Sequence, residues 1–148
     1  MLRGIHPLLG PDLLHALQSM GHGDDIVIAD ANFPSSFLGP DVIRADGVGA
    51  TDMAEAILTH MPLDTFVPET AWRMEVVGDP QAMPEVCTEF QEIVNRRSGD
   101  FRIAPLERFA FYERAKQAAY IVATTEFRLY GNLILKKGVV QPHEVFRG

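Results

Sequence analysis

Three apolar runs constrain this chain most: "DIVIAD" at residues 25–30, "AAYIVATT" at 118–125 and "LYGNLILKKG" at 129–138. The first two are dense in β-branched residues, and none alternates apolar with polar. Runs of that kind fit strands covered on both faces, as in parallel sheets flanked by helices. Before and between them lie segments with apolar residues at helical spacing: Leu13, Leu14, Leu17 and Met20; Met53, Ile57 and Leu58; Val86, Phe90, Ile93 and Val94. Strands that alternate with helices predict a layered α/β domain with a mainly parallel sheet.

Local signals divide the chain further. Pro11 suits the first position of a helix and Gly21 its stop. "DVIRADG" predicts a short strand, and "TDMAEAILTH" a helix with Thr51 as N-cap. "AWRMEVV" (71–77) and "FRIA" (101–104) predict strands. "PEVCTEFQEIVNRR" and "PLERFAFYERAKQ" predict helices with Pro84 and Pro105 at their starts. The Pro-rich pieces near 34–40 and 62–68 read as loops within one domain, and 139–148 as a polar, frayed tail.

Composition narrows the function classes. The 148 residues carry a net charge of −7, and their basic pairs, Arg96-Arg97 and Lys136-Lys137, form no cluster. A nucleic-acid partner is therefore not expected. Cys87 is the only cysteine, so an internal disulfide is impossible, in keeping with a reducing compartment. The opening "MLRGIHPLLGPDLLHAL" is too broken by Pro, Gly and His for a signal peptide, and no apolar run is long enough to span a membrane. A soluble, cytoplasmic protein is expected.

Common catalytic motifs are missing. The histidines (6, 15, 22, 60 and 143) make no metal-ligand pattern such as H-x-x-x-H. "GHGDD" precedes a strand, whereas a dinucleotide fingerprint follows one. Neither a phosphate loop nor a G-x-S-x-G elbow is present.

The remaining candidates are polar and scattered. His22 lies between two glycines just past a helix end, where it serves either as a C-terminal cap or as a proton-transfer group. Asp30 ends an apolar strand, the place where ligands collect in parallel α/β sheets, although a loop cap also fits there. Arg108 and Tyr112 share one helical face, and an exposed salt bridge is the simpler account of the arginine. Tyr130-Gly131-Asn132 reads as a turn entering a strand. Together these groups match the needs of a neutral polyol: carboxylate, guanidinium, phenol, amide and one group titrating near neutrality.

The stretches "MGHGDDIVIADANFP", "VIRADG", "PLDTFVP", "RFAFYERAK" and "LYGNLILKKGV", from about residue 7 to residue 140, resemble the RbsD/FucU family of sugar mutarotases. "FYERA" with "YGN" resembles its FucU branch, since the ribose pyranase branch carries Tyr-Ala-Asn at the latter. The resemblance implies a single three-layer α/β/α domain over 1–148 and an isomerase that needs no metal or cofactor. It implies a monosaccharide substrate, L-fucose foremost, and a homo-oligomer, a ring or a decamer-like assembly, with sites close to subunit contacts. It places the catalytic acid/base on His22, with Tyr112 assisting, and sugar contacts on Asp30, Asp64, Arg108, Tyr112, Tyr130, Gly131 and Asn132. Competing readings are a pyranase or mutarotase for another aldose, and a non-catalytic sugar-binding accessory protein.

Overall fold

A computed structural model describes residues 1–145. Its helices are α1 (Pro11–Ser19), α2 (Ala50–Leu58), α3 (Glu85–Ser98) and α4 (Arg108–Lys116). Its strands are β1 (Asp25–Ala29), β2 (Asp41–Ala45), β3 (Ala71–Met74), β4 (Ala104–Leu106), β5 (Tyr120–Thr124) and β6 (Leu133–Lys136). They form one sheet in the order β2-β5-β1-β6-β3-β4. Every residue of β1 is buried, because helices cover both faces. Ile26 and Ile28 point into a core shared with α1, α2 and α3, whereas Val27 and Ala29 point into one shared with Phe111 and Ala115 of α4. The arrangement is the expected α/β/α layering.

The β2–β5, β5–β1 and β3–β4 pairings are parallel, while β6 runs antiparallel to both β1 and β3. Five strands thus point one way and a central one points back. The link from β5 to β6 (residues 125–132) is too short for a parallel crossover, which takes about a dozen residues or more. It hops over the end of β1, and the chain returns antiparallel.

Several boundaries differ from the sequence reading. Thr51 lies inside α2, whose N-cap is Gly49 without a side-chain bond. Pro105 sits in β4, and α4 begins under Glu107, whose carboxylate accepts from the N–H groups of Phe109 and Ala110. A glutamate can cap from a neighbouring element or from its own position, so Thr and Pro were not required. The strand expected at 71–77 ends at Met74, and the one expected at 101–104 starts at Ala104. In the expected frayed tail, Pro142–Glu144 form a 3-10 turn closed by reciprocal bonds between Gln141 and Glu144; residues 146–148 lie outside the described residues. No helix among the described residues is long and apolar enough to cross a membrane.

Candidate functional site

Asp30 follows the last residue of β1, and Asn132 precedes the first residue of β6. Because these neighbours are antiparallel, the two side chains meet. The Asp30 N–H donates to Asn132 Oδ1 (2.8 Å), and Asn132 Nδ2 donates to Asp30 Oδ2 (3.0 Å). The Asn32 N–H donates to Asp30 Oδ1 (3.0 Å), a local Asx turn. Burial raises the Asp30 pKa, and the donors from Asn32, Asn132, Phe33 and Gly131 only partly offset it.

The turn before Asn132 is tightly held. Tyr130 adopts φ +65°, the left-handed region that non-glycine residues rarely visit, and its hydroxyl accepts from the Val77 N–H (3.0 Å). At Gly131 a Cβ would lie 2.7 Å from Glu126 Cγ and 3.6 Å from Asp30 Cβ, so only glycine fits between the two acids. Glu126 is itself buried. Its carboxylate accepts from Arg128 Nε (3.1 Å) and Nη2 (2.9 Å), and Arg128 also pairs with Glu89 on α3. These contacts, Arg128 foremost, lower the Glu126 pKa.

Asp30 and Asn132 line an open cavity of about 200 Å³ together with Arg108, Tyr112, Tyr130, Asn32 and the apolar Phe33, Met74, Val77 and Leu129. Arg108 and Tyr112 come from the first two turns of α4. Tyr112 packs edge-on against Phe33, with ring centroids 5.6 Å apart. Arg108 lies over the Phe109 ring (4.6 Å), and its buried Nε has no hydrogen-bond partner among the described residues. Hydrogen-bond donors and one carboxylate thus face an apolar wall, which suits an uncharged, hydroxyl-rich molecule.

His22 and Asp64 stand apart from this cavity. His22 precedes β1, so it occupies the opposite end of the strand from Asp30. Its Nε2 is 2.9 Å from Asp64 Oδ1, and its ring packs against Phe66 at 5.1 Å. Asp64 is buried and also accepts from the Phe66 N–H (3.0 Å). That N–H, then His22, hold the Asp64 carboxyl below its usual pKa against the opposing effect of burial. A carboxylate on one ring nitrogen leaves the other to exchange protons with a ligand.

The structure therefore gathers Asp30, Arg108, Tyr112, Tyr130 and Asn132 around one cavity, with Gly131 packed behind Asp30, and leaves His22 and Asp64 as a separate pair. Glu126 escaped sequence reasoning, although, like Asp30, it is an acid just past the end of an apolar strand. A larger hollow of about 510 Å³, lined by His60, Phe101 and Val140 among others, collects none of the candidate residues. Among the described residues no cluster of acids, histidines or cysteines suits a metal ion.

The model of the RbsD / FucU transport protein family matches residues 3–140. The fucose mutarotase of Bos taurus is 50% identical over 151 residues, covering 98% of either chain. The fucose mutarotase of Homo sapiens is 51% identical over 146 residues, covering 94% of either chain. Among solved structures, the fucose mutarotase in complex with L-fucose from Streptococcus pneumoniae superposes with a TM-score of 0.89 at 42% identity, over 95% of this chain and all of that one. Bacillus subtilis RbsD complexed with D-ribose is more distant, with a TM-score of 0.75 and 25% identity over 95% of this chain and 100% of that one. The family model and the near-full-length relatives agree with the fold, and the chain belongs to the RbsD/FucU family.

Proposed function

We propose that the protein interconverts the α and β anomers of L-fucose by acid/base-catalysed ring opening. The observation that carries this reading is the cavity in which Asp30, Arg108, Tyr112 and Asn132 converge on an apolar wall. Near-full-length likeness to fucose mutarotases supports the choice of sugar. Asp30 accepts hydrogen bonds from sugar hydroxyls, and Arg108 and the Asn132 amide complete the polar grip. Phe33, Met74 and Leu129 offer the apolar contact that a 6-deoxy methyl group needs.

Ring opening removes a proton from the anomeric hydroxyl, places one on the ring oxygen and breaks the bond between that oxygen and C1. Rotation of the freed aldehyde and reclosure on its other face give the other anomer, and both protons are returned. His22 acts as the acid/base group, and the Tyr112 phenol relays or polarises. Asp64, turned to His22 rather than to solvent, orients the imidazole. Such catalysis supplies about 10²–10⁴-fold, enough for a reaction that is already facile.

One chain cannot bring His22 to its own cavity. β1 separates the two ends by roughly 16 Å, at about 3.3 Å per residue, farther than one pyranose reaches. Both ends also expose apolar side chains: Phe66 and Val67 beside His22, and Phe109, Leu129 and Val77 around the cavity. We assign these surfaces to one another in neighbouring copies. A head-to-tail contact of this kind gives a ring where the rotation between copies closes, and the proposed assembly is such a ring.

Saturation transfer between the anomeric protons of L-fucose tests the reading. Exchange well above the spontaneous rate, faster for L-fucose than for D-ribose, is expected. Binding without accelerated exchange would reduce the protein to a sugar binder, and a preference for D-ribose would reassign the substrate.

A further inference from the structure

Lys136 is bonded to both sides of the His22–Asp64 pair. Its carbonyl accepts from the Asp64 N–H (3.1 Å), and its Nζ donates to the carbonyl of Gly23 (2.9 Å), the residue that follows His22. The end of β6 continues between these segments. On one side the Gly23 N–H donates to Lys137 O (2.8 Å) and the Lys137 N–H to Asp24 O (2.9 Å). On the other, Lys137 bridges to Leu63 and the Gly138 N–H donates to Pro62 O (2.8 Å). The approach there is so close that a Cβ on Gly138 would lie 2.6 Å from Leu63 C and 2.9 Å from Asp64 Cα.

Gly23 adopts φ +86° and has no side chain by which the fold can hold it. Its N–H is held by the Lys137 carbonyl, and the Lys136 side chain supplies the hydrogen bond on its own carbonyl. The ammonium also pairs with the buried Asp25 (3.2 Å), a second anchor that keeps it in place. We propose that Lys136 is a positioning residue that sets the register of His22 against Asp64, acting through the Gly23 carbonyl and not on the sugar. The inference rests on His22 being the acid/base group.

The test compares Lys136→Met, Lys136→Arg, Asp25→Asn/Lys136→Met and His22→Gln in L-fucose anomer exchange across sugar concentrations. Methionine keeps the stem and removes the donor. Its kcat should fall roughly 10–100-fold, as misplacement of a reacting group by a fraction of an ångström to 1 Å does. KM should stay within about twofold, because Lys136 is not among the residues that line the sugar cavity. Arginine, which retains a donor for Gly23 O, should recover much of the loss. The double variant separates positioning from mere charge balance. Asp25 also pairs with Arg114 (3.0 Å), so it keeps a partner in Lys136→Met, and with Asp25 neutral as well the loss in kcat should persist. Wild-type kcat in Lys136→Met, or its restoration by Asp25→Asn, would overturn the inference while His22→Gln stays inactive. An active His22→Gln protein would instead remove the acid/base assignment on which the inference stands.

Discussion

Mixing two inactive variants should restore activity, because the proposed site is divided between chains. His22→Gln removes the acid/base group at one end of β1, and Asp30→Asn/Tyr112→Phe disables the cavity at the other. The strand keeps the two ends roughly 16 Å apart, so on this proposal each site takes its histidine from one copy and its cavity from the next. His22→Gln alone should retain no more than about one part in a hundred of the activity. In a randomly mixed ring each end is intact with probability one half, so about a quarter of the sites regain both intact ends. L-fucose exchange should therefore climb from about one per cent or less to about a quarter of the wild-type rate. Native mass spectrometry establishes that the subunits have mixed. Exchange in a mixed assembly no faster than the mean of its parents would show that one chain builds the whole site, and the reasoning from β1 would be wrong.

Binding and chemistry should separate by residue. Asp30→Asn loses charge-assisted hydrogen bonds worth about 1.5–3 kcal/mol, or about one to two powers of ten in L-fucose affinity by NMR titration, whereas His22→Gln should bind nearly normally. Gly131→Ala would force a methyl 2.7 Å from Glu126 Cγ and 3.2 Å from the Arg128 carbonyl. Overpacking of this kind costs about 1–3 kcal/mol, so its thermal midpoint and sugar affinity should both fall, and unchanged values for both would contradict the packing argument. Asp64 titrates below the ordinary value of 3.8, chiefly through the Phe66 N–H and also through His22. Its contribution to stability is therefore complete above that value and is lost as pH falls through the lower folded value. Urea midpoints taken from pH 6 down to pH 2 should drop less in Asp64→Asn than in the unaltered protein.

Much of this protein is legible in its residues. The β1 and β5 runs could not be placed at a surface, and the spacings of Leu13 with Leu17 and of Val86, Phe90 and Val94 marked faces that the structure buries. Asp30, Arg108, Tyr112 and the Tyr130–Asn132 turn were found as isolated polar residues in apolar or structured settings, and the fold gathers them at one cavity. Cap residues were less legible. The carboxylate beside the start of α2 belongs to Glu126, far away in the chain, whose pKa the Ala50 N–H helps to lower after the larger effect of Arg128, and no local pattern around Thr51 points to it.

Only the tertiary structure decided which candidates meet. Periodicity along one strand records what is buried and says nothing about the direction of its neighbour. The short β5–β6 link leaves no room for a crossover, so β6 returns antiparallel beside β1. That one reversal carries Asn132 to Asp30 and delivers Lys136 to the far end, against Gly23 and Asp64. It also leaves His22 a strand-length from the cavity, because hydrogen-bonded strands hold their residues at a fixed rise that no side chain spans.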